Sequence, residues 1–452
     1  LNPRSHVFNL KKILSLIGIN RTVAALLTGK LWSIFSYPLT IWFIIHHLNP
    51  GEQGYYYAFY SLLGLDIFLE LGLTSVLTTI ASHEWPKLEM DSRGRLSGDP
   101  EAKAKVLSLA KFFLRWYSVA SVVHLFLLGG AGIWFFGSKP NQSVYWLVPW
   151  LLTVLINSLR LVLIPIGGLL QGCGQMASIA WMQARAVLIP TFVLWIGLNL
   201  SWSLYVVPVV ALIGLLILCF TYFYKYKFFT LEALRTREIS EIHWKTEIFP
   251  LQWRIALSWA SGYFIFQFQI PVIFHFCGDV EAGRYGLTLS VLGSIGSLSM
   301  AWVSSRVADF GAMIASKKTA DLYKIARRCQ IQALSVLLLG FAALFGALAL
   351  MEVFLPERRF RFASNNVLIG VMLYQAINTV IGIQALVVRA HKVEPYARLS
   401  LYGAAAIALL VPPAALYLGA PGAAWTSFLI AAALFVPSLR IYQNYRKLEL
   451  EQ

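Results

Sequence analysis

The stretch Leu48-Asn49-Pro50-Gly51-Glu52-Gln53-Gly54-Tyr55-Tyr56, continuing to Ser61-Leu62-Leu63-Gly64, joins two long apolar runs. A second stretch, Glu281-Ala282-Gly283-Arg284-Tyr285, continuing to Ser290-Val291-Leu292-Gly293, does the same later in the chain. Glu, Gly, Tyr, Ser, Leu and Gly recur in it at identical spacing with no gap. A helix–short loop–helix unit that occurs twice in an apolar chain implies two halves built alike. Two such halves around a central site are a plan common among secondary transporters.

Composition sets the solvent. The chain is 58% hydrophobic and 13% charged, with a mean hydropathy of +0.66. Apolar runs of roughly 20 residues recur along it, each long enough to cross a bilayer core of about 30 Å. They predict an all-α polytopic membrane protein of twelve spans, at 22–47, 54–82, 107–136, 144–170, 175–199, 202–224, 250–276, 283–304, 329–354, 363–388, 397–418 and 421–439. The domains follow: residues 1–224 as a first six-helix lobe, 225–249 as a cytoplasmic linker, and 250–452 as a second lobe. The first apolar run leads into another span and not into a processing site, so no cleavable signal is expected.

Most of the 37 Lys and Arg fall in segments that face one side if both termini are cytoplasmic. The positive-inside rule therefore orients the chain that way. Lys139, Arg284, Arg358, Arg359 and Arg361 fall outside, and the last three form a cluster that departs from the rule. Topology and contact with anionic lipids account for the net charge of +16 without a nucleic-acid partner. Cys173, Cys219, Cys277 and Cys329 have no metal-binding spacing. No phosphate-cradling loop, HExxH or Ser/His/Asp grouping occurs, so no enzyme is expected. Residues 83–106 read as a turn-rich cytoplasmic loop, helical at best. Residues 225–249 read as an amphipathic surface helix. Tyr55, Tyr56, Tyr57 and Tyr60, with Trp42, Trp134, Trp146, Trp150 and Trp202, read as an interfacial aromatic belt.

Charge at membrane depth is costly and marks candidate sites. At a rise of ~1.5 Å per residue, Lys30 lies ~12 Å and Arg185 ~15 Å from the inner ends of their spans, Arg160 at similar depth and Glu70 at ~18 Å. Asp66 stands one turn from Glu70 and shares its helix face. All five belong to the first half, and Ile295 and Ser299 occupy the matching acidic positions in the second. Three cations and two carboxylates in one band suit an anionic substrate and an ion- or proton-coupling pair; internal ion pairs locking helices are the other reading. Arg254 is a further cation, near the inner end of span 7. Gln267, Gln269, Gln375, Asn378 and Gln384 read as bonds between helices, with hydrogen bonds to a sugar as the other reading, and His124 reads as a packing or interface residue.

Leu48 to Tyr56, running on to Glu70-Leu71-Gly72-Leu73, resembles the opening of polysaccharide-transporter flippases: a Leu-Gly-Pro-Glu-Glu-Tyr/Phe-Gly-like turn, then an acidic-x-Gly-Leu. Leu169-Leu170-Gln171-Gly172 is similar to that family's junction of spans 4 and 5, and Gly419-Ala420-Pro421-Gly422-Ala423-Ala424 to its lead-in to the last span. The first half departs from it, with Leu200-Ser201-Trp202 before span 6. The family is the O-antigen and exopolysaccharide flippase branch of the multidrug/oligosaccharidyl-lipid/polysaccharide (MOP) exporter superfamily. The resemblance implies two lobes in a V that alternate access across a bacterial inner membrane. The implied substrate is a polyprenyl-pyrophosphate-linked oligosaccharide, with polysaccharide-assembly proteins as candidate partners. It implies no cofactor beyond coupling to H+ or Na+. Glu70 matches the motif's acidic position, while Lys30, Arg160, Arg185 and Arg254 match only a general habit of a cationic lumen. A multidrug antiporter, a major-facilitator transporter and a structural scaffold are the alternatives.

Overall fold

The computed structural model describes residues 21–70, 72–138, 143–236, 249–316, 318–391 and 394–450. They are almost all helical. Among them, seven helices are long and apolar enough to cross a membrane, or eight if one bent pair is a single span. The chain is a multi-pass membrane protein. Two compact units form. The first gathers Leu1–Phe43, Gly72–Ile133 and Leu147–Gln252; the second gathers Ile44–Leu71, Trp134–Trp146 and Trp253–Gln452.

In the first unit, α1 (Arg21–His47) packs through Trp32 and Phe43 on Trp195. The other helices there are α4 (Leu73–Glu84), α5 (Pro100–Gly137), α6 (Leu147–Leu170), α7 (Met176–Asn199), α8 (Val206–Phe220) and α9 (Lys227–Arg235). Helices α4, α6 and α8 pack closely because small residues let them: a Cβ on Gly168 would stand 3.0 Å from the Thr74 methyl, and one on Gly172 2.6 Å from Ala81. The turn before α8 uses left-handed backbone at Ser201 and Ser203, where no glycine is available. At two non-glycine positions this costs roughly 1–2 kcal/mol each.

The segment at residues 83–106 is turn-rich, and part of it differs from the sequence expectation: between the end of α4 and the start of α5 at Pro100 it holds an antiparallel hairpin, β1 (Leu88–Met90) with β2 (Leu96–Gly98). Asp91 makes the turn: its carboxylate accepts from the backbone N–H groups of Arg93 and Arg95. The Arg95 N–H, acting first, holds that carboxyl below its usual range. Gly94, at φ 79°, lets the hairpin lie on Tyr226, whose Cα would be 2.8 Å from a Cβ there. Arg95 stacks over Phe228 at 4.6 Å, and Lys103 pairs with Glu232. Of residues 225–249, Lys227–Arg235 form α9, with Phe229 and Ala233 fully buried; residues 237–248 lie outside the described ones.

The second unit contains α2 (Pro50–Leu63), the four-residue α3 (Ile67–Glu70), α10 (Phe249–Phe266), α11 (Gln269–Cys277), α12 (Asp279–Ser304), α13 (Val307–Ala315), α14 (Thr319–Phe354), α15 (Pro356–Arg359), α16 (Asn365–Arg389) and α17 (Tyr396–Leu450). Its central contact is the repeat packed on itself. Helices α2 and α12 cross where a Cβ on Gly54 would fall 2.0 Å from the Asp279 carbonyl oxygen and one on Gly283 2.8 Å from the Gly54 nitrogen. Gln53 donates from Nε2 to the Gly283 carbonyl at 2.8 Å. The two copies of the repeat are therefore fastened to each other.

Three aromatics expected in the belt are interior. Tyr55, Tyr56 and Tyr57 are buried, and Tyr55 meets Phe136, Trp146 and Phe274. Trp150 is buried as well, over Gly132 in the first unit. Helix α17 is not one rod: Gly419, at φ 67°, breaks it where the sequence places the lead-in to the last span. A Cβ on Gly422 would sit 2.3 Å from the Ala414 carbonyl, and Gly370 touches Ala424, so the small residues there do bring helices together.

Candidate functional site

Asp66 and Glu70 stand at an interruption. After α2 the chain tightens into a 3-10 turn, Gly64–Asp66, then forms α3, which ends at Glu70. Gly72 is left-handed at φ 74°, which explains a glycine in the acidic-x-Gly-Leu sequence. Both carboxylates are half-buried. Span 2 is thus a broken helix and not the continuous 54–82 helix expected. Where a helix breaks, backbone carbonyls lose their intrahelical partners, and with nearby carboxylates they make oxygen-rich surroundings suited to a proton or small cation. Among the described residues no cluster of three His, Cys, Asp or Glu side chains is arranged to hold a metal.

Lys30, Arg160 and Arg185 belong to the first unit, whereas Asp66 and Glu70 belong to the second. The grouping of the five in one half, expected from sequence order, is not the grouping that packing makes. Lys30 and Arg185 come from helices in contact, since a Cβ on Gly29 would meet Ala184 at 3.7 Å. Both side chains are exposed. Arg160 is exposed on α6, whose neighbours are α4 and α8. Arg254 is on α10, and its side chain lies outside the described ones.

Arg185 lines a cleft of about 430 Å³ with Gln175, Ser178, Trp181 and Lys225. Sequence reasoning finds only Arg185 of these. Lys225 is separated from it by the whole of α8 and reads in sequence as one more cytoplasmic cation. A signal is present: Ser178, Trp181 and Arg185 follow one another at helical spacing of three and four, and so share a face.

Of the polar residues read as bonds between helices, Gln384 and Gln269 make such bonds, whereas Asn378 donates to the Tyr374 carbonyl of its own helix. Ser438 donates to Gln384 at 2.7 Å, and the Tyr285 hydroxyl donates to Gln269. His124 is buried against Ser158 at 2.7 Å. The Arg358/Arg359/Arg361 cluster also has a structural use. Arg361 donates to Gln53 Oε1 at 2.8 Å and to the Leu48 carbonyl at 2.6 Å, bracing the first repeat. Arg359 holds Asn365 and the Ala363 carbonyl, and Arg358 reaches His46 Nδ1 at 3.1 Å.

No family model and no curated relative matches the chain. Solved structures do. An inward-facing MATE-family multidrug resistance transporter of the MOP superfamily is similar at 13% identity, over 94% of this chain and 99% of that one, with a TM-score of 0.62. The MATE multidrug transporter DinF-BH matches at 15% identity over 95% of each chain, with a TM-score of 0.59. The lipid II flippase MurJ, in an inward closed conformation, matches at 13% identity over 93% of this chain and 87% of that one, with a TM-score of 0.57. At such identities the likeness is one of fold, and the chain shares it along nearly its whole length.

Proposed function

We propose that this chain is a MOP-type flippase that moves a polyprenyl-pyrophosphate-linked oligosaccharide, an O-antigen or exopolysaccharide repeat unit, across a bacterial cytoplasmic membrane. It works by ion-coupled alternating access and is not an enzyme. The observation that carries this reading is a surplus of span-borne cations, Lys30, Arg160 and Arg185, on a fold shared with a lipid II flippase. A diphosphate drawn out of water needs such charge, and guanidinium groups hold phosphate in a fixed fork. Asp66 and Glu70, at the break in span 2, are the proposed coupling pair for H+ or Na+. Arg254 is kept as a fourth substrate cation.

Twelve spans fit the helices, and the proposed orientation keeps both termini cytoplasmic. Two of the seven candidate spans run 53 and 52 residues and break at Gly174 and Gly419, so each divides into two. The bent pair adds one, and Arg21–His47 and Asp279–Ser304 have the length of two more. Membrane lipids surround all of them. Polysaccharide-assembly proteins are the proposed protein partners.

Flux of a lipid-linked oligosaccharide in proteoliposomes tests this. Arg160→Ala combined with Arg185→Ala should cut flux at least about tenfold, since each charged hydrogen bond lost costs ~1.5–3 kcal/mol. Undiminished flux would sink the charge assignment. Asp66→Asn with Glu70→Gln should abolish the response to an imposed ion gradient. The likeness to two multidrug transporters favours a second reading, a drug antiporter. Span 1 carries Lys30 and no carboxylate, which is ill suited to cationic drugs. Drug sensitivity of a deletion strain with normal surface glycan would reverse the preference.

A further inference from the structure

We propose that the cleft lined by Arg185 and Lys225 is a docking site for the phosphate group of a lipid headgroup. The inference rests on the flippase reading only where the lipid is the diphosphate-linked substrate. The cleft is built and not incidental. Its floor is the turn Gln171–Gln175 between α6 and α7, where Gly174 at φ 72° lies against Trp85, 2.8 Å from where a Cβ would be. Any other residue there would be strained and would collide with the indole. Its rear wall is tied to the cytoplasmic hairpin through Tyr226, which donates to Gln175 Oε1 at 3.1 Å and lies beneath Gly94.

The polar groups converge. Lys225 donates from Nζ to Ser178 Oγ and stands 5.0 Å from the centre of the Tyr226 ring. Arg185 Nε donates to the Trp181 carbonyl at 3.2 Å, one turn back toward the start of α7. The guanidinium thereby reaches toward the helix end where Lys225 stands, as long cationic side chains do at a membrane boundary. The lining holds no carboxylate, and among the described residues neither cation has a salt-bridge partner. Both cations line one cleft that holds no carboxylate, so an anion entering it meets positive charge alone. A fork-shaped guanidinium, an ammonium and a hydroxyl form the donor set for a phosphate or diphosphate. Trp181, partly exposed beside them, offers an aromatic face to the sugar or chain attached to it.

The full chain in nanodiscs of phosphatidylcholine, titrated calorimetrically with geranyl pyrophosphate, tests the site. Geranyl pyrophosphate should bind and geraniol should not. Arg185→Gln with Lys225→Gln should weaken binding by roughly ten- to a hundredfold, the loss expected for charged hydrogen bonds. Arg185→Lys with Lys225→Arg should retain most of it. Should the neutral pair fail to fold, Ser178→Asp puts a competing carboxylate in the cleft and should also abolish binding. Equal affinity in wild type and in the neutral pair or Ser178→Asp overturns the proposal. Adding phosphatidylglycerol to the discs distinguishes the sources: competition with geranyl pyrophosphate assigns the site to bilayer phospholipid as well, and no competition assigns it to the diphosphate. Diphosphate binding in a chain that moves no lipid-linked oligosaccharide would sink the flippase reading and leave this site standing. Flux with unchanged binding in the neutral pair does the reverse.

Discussion

Helices α2 and α12 begin from the same residue types, yet α12 runs unbroken from Asp279 to Ser304 while α2 stops at Leu63 and gives way to a 3-10 turn, a four-residue helix and left-handed Gly72. The unbroken copy carries Ile295 and Ser299 where the broken one carries Asp66 and Glu70. Ile295 packs on Gly340, and Ser299 is buried with its hydroxyl on the Gly296 carbonyl. One copy is thus a regular packed helix and the other is interrupted. Carboxylates tolerate a membrane interior where backbone oxygens and room for water accompany them.

The glycines sort in the same way, and the contrast between two of them is the largest expected effect. Gly54 and Gly283 are the crossing itself. Gly54→Ala places a methyl on the Asp279 backbone, and neither chain can move without shifting a helix. We expect a loss of about 1–3 kcal/mol, as for overpacking. Gly293, from the end of the same repeat, has open space around it: a methyl added there would meet nothing within 4 Å. Gly293→Ala should therefore stabilise by about 0.5–1 kcal/mol through helix propensity. Thermal unfolding of the detergent-solubilised protein compares the two. The same sign for both would break the assignment of Gly54 and Gly283 to the contact.

A second test addresses the bracing of the first copy. Arg361 serves Gln53 Oε1 and the Leu48 carbonyl together, and the second copy has Ala282 where the first has Gln53. Arg361→Ala leaves both acceptors short of a charged donor and should cost about 1.5–3 kcal/mol. Arg361→Lys should recover only part, because an ammonium lacks the planar fork. A double-mutant cycle with Gln53→Ala should show coupling; additive losses would mean that Arg361 acts through Leu48 alone.

Much of this is legible in the sequence because periodic and compositional signals are strong in membrane chains. The repeat, the apolar runs, the glycine of the Glu70-Leu71-Gly72-Leu73 motif and the break at Gly419 all follow from local rules. Other features need the fold. Tyr55, Tyr56 and Tyr57 end an apolar run, and an aromatic there looks the same whether protein or headgroups cover it. Strands of three residues are too short to show alternation, so the hairpin after α4 is hidden, although the Asp91-to-Gly94 turn marks its tip. The arginine cluster announces itself only by breaking the positive-inside rule. Its partners, Leu48 and Gln53, lie more than half a chain away. The cleft joins one face of α7 to Lys225 across α8, a proximity that no spacing encodes.

The smallest expected effect concerns the first residues of the two helices. Asn49 caps α2 in a reciprocal box: its side chain accepts from the Glu52 N–H, and Glu52 accepts from the Asn49 N–H, each at 2.8 Å. The matching position before α12 is Gly278, at φ 92°, which has no side chain to cap with. Glu281, freed from that duty, pairs instead with Arg284, and both side chains are about a third exposed. Asn49→Ala should therefore cost about 1 kcal/mol. Glu281→Ala should cost less than about 0.5 kcal/mol, because solvent screens an exposed pair. Glu52→Ala should resemble Asn49→Ala and not Glu281→Ala, although Glu52 and Glu281 are the same residue of the same repeat. Equal effects of Glu52→Ala and Glu281→Ala on the unfolding midpoint would mean that the capping box contributes nothing that the surface pair does not, and that the two copies begin alike energetically as well as in sequence.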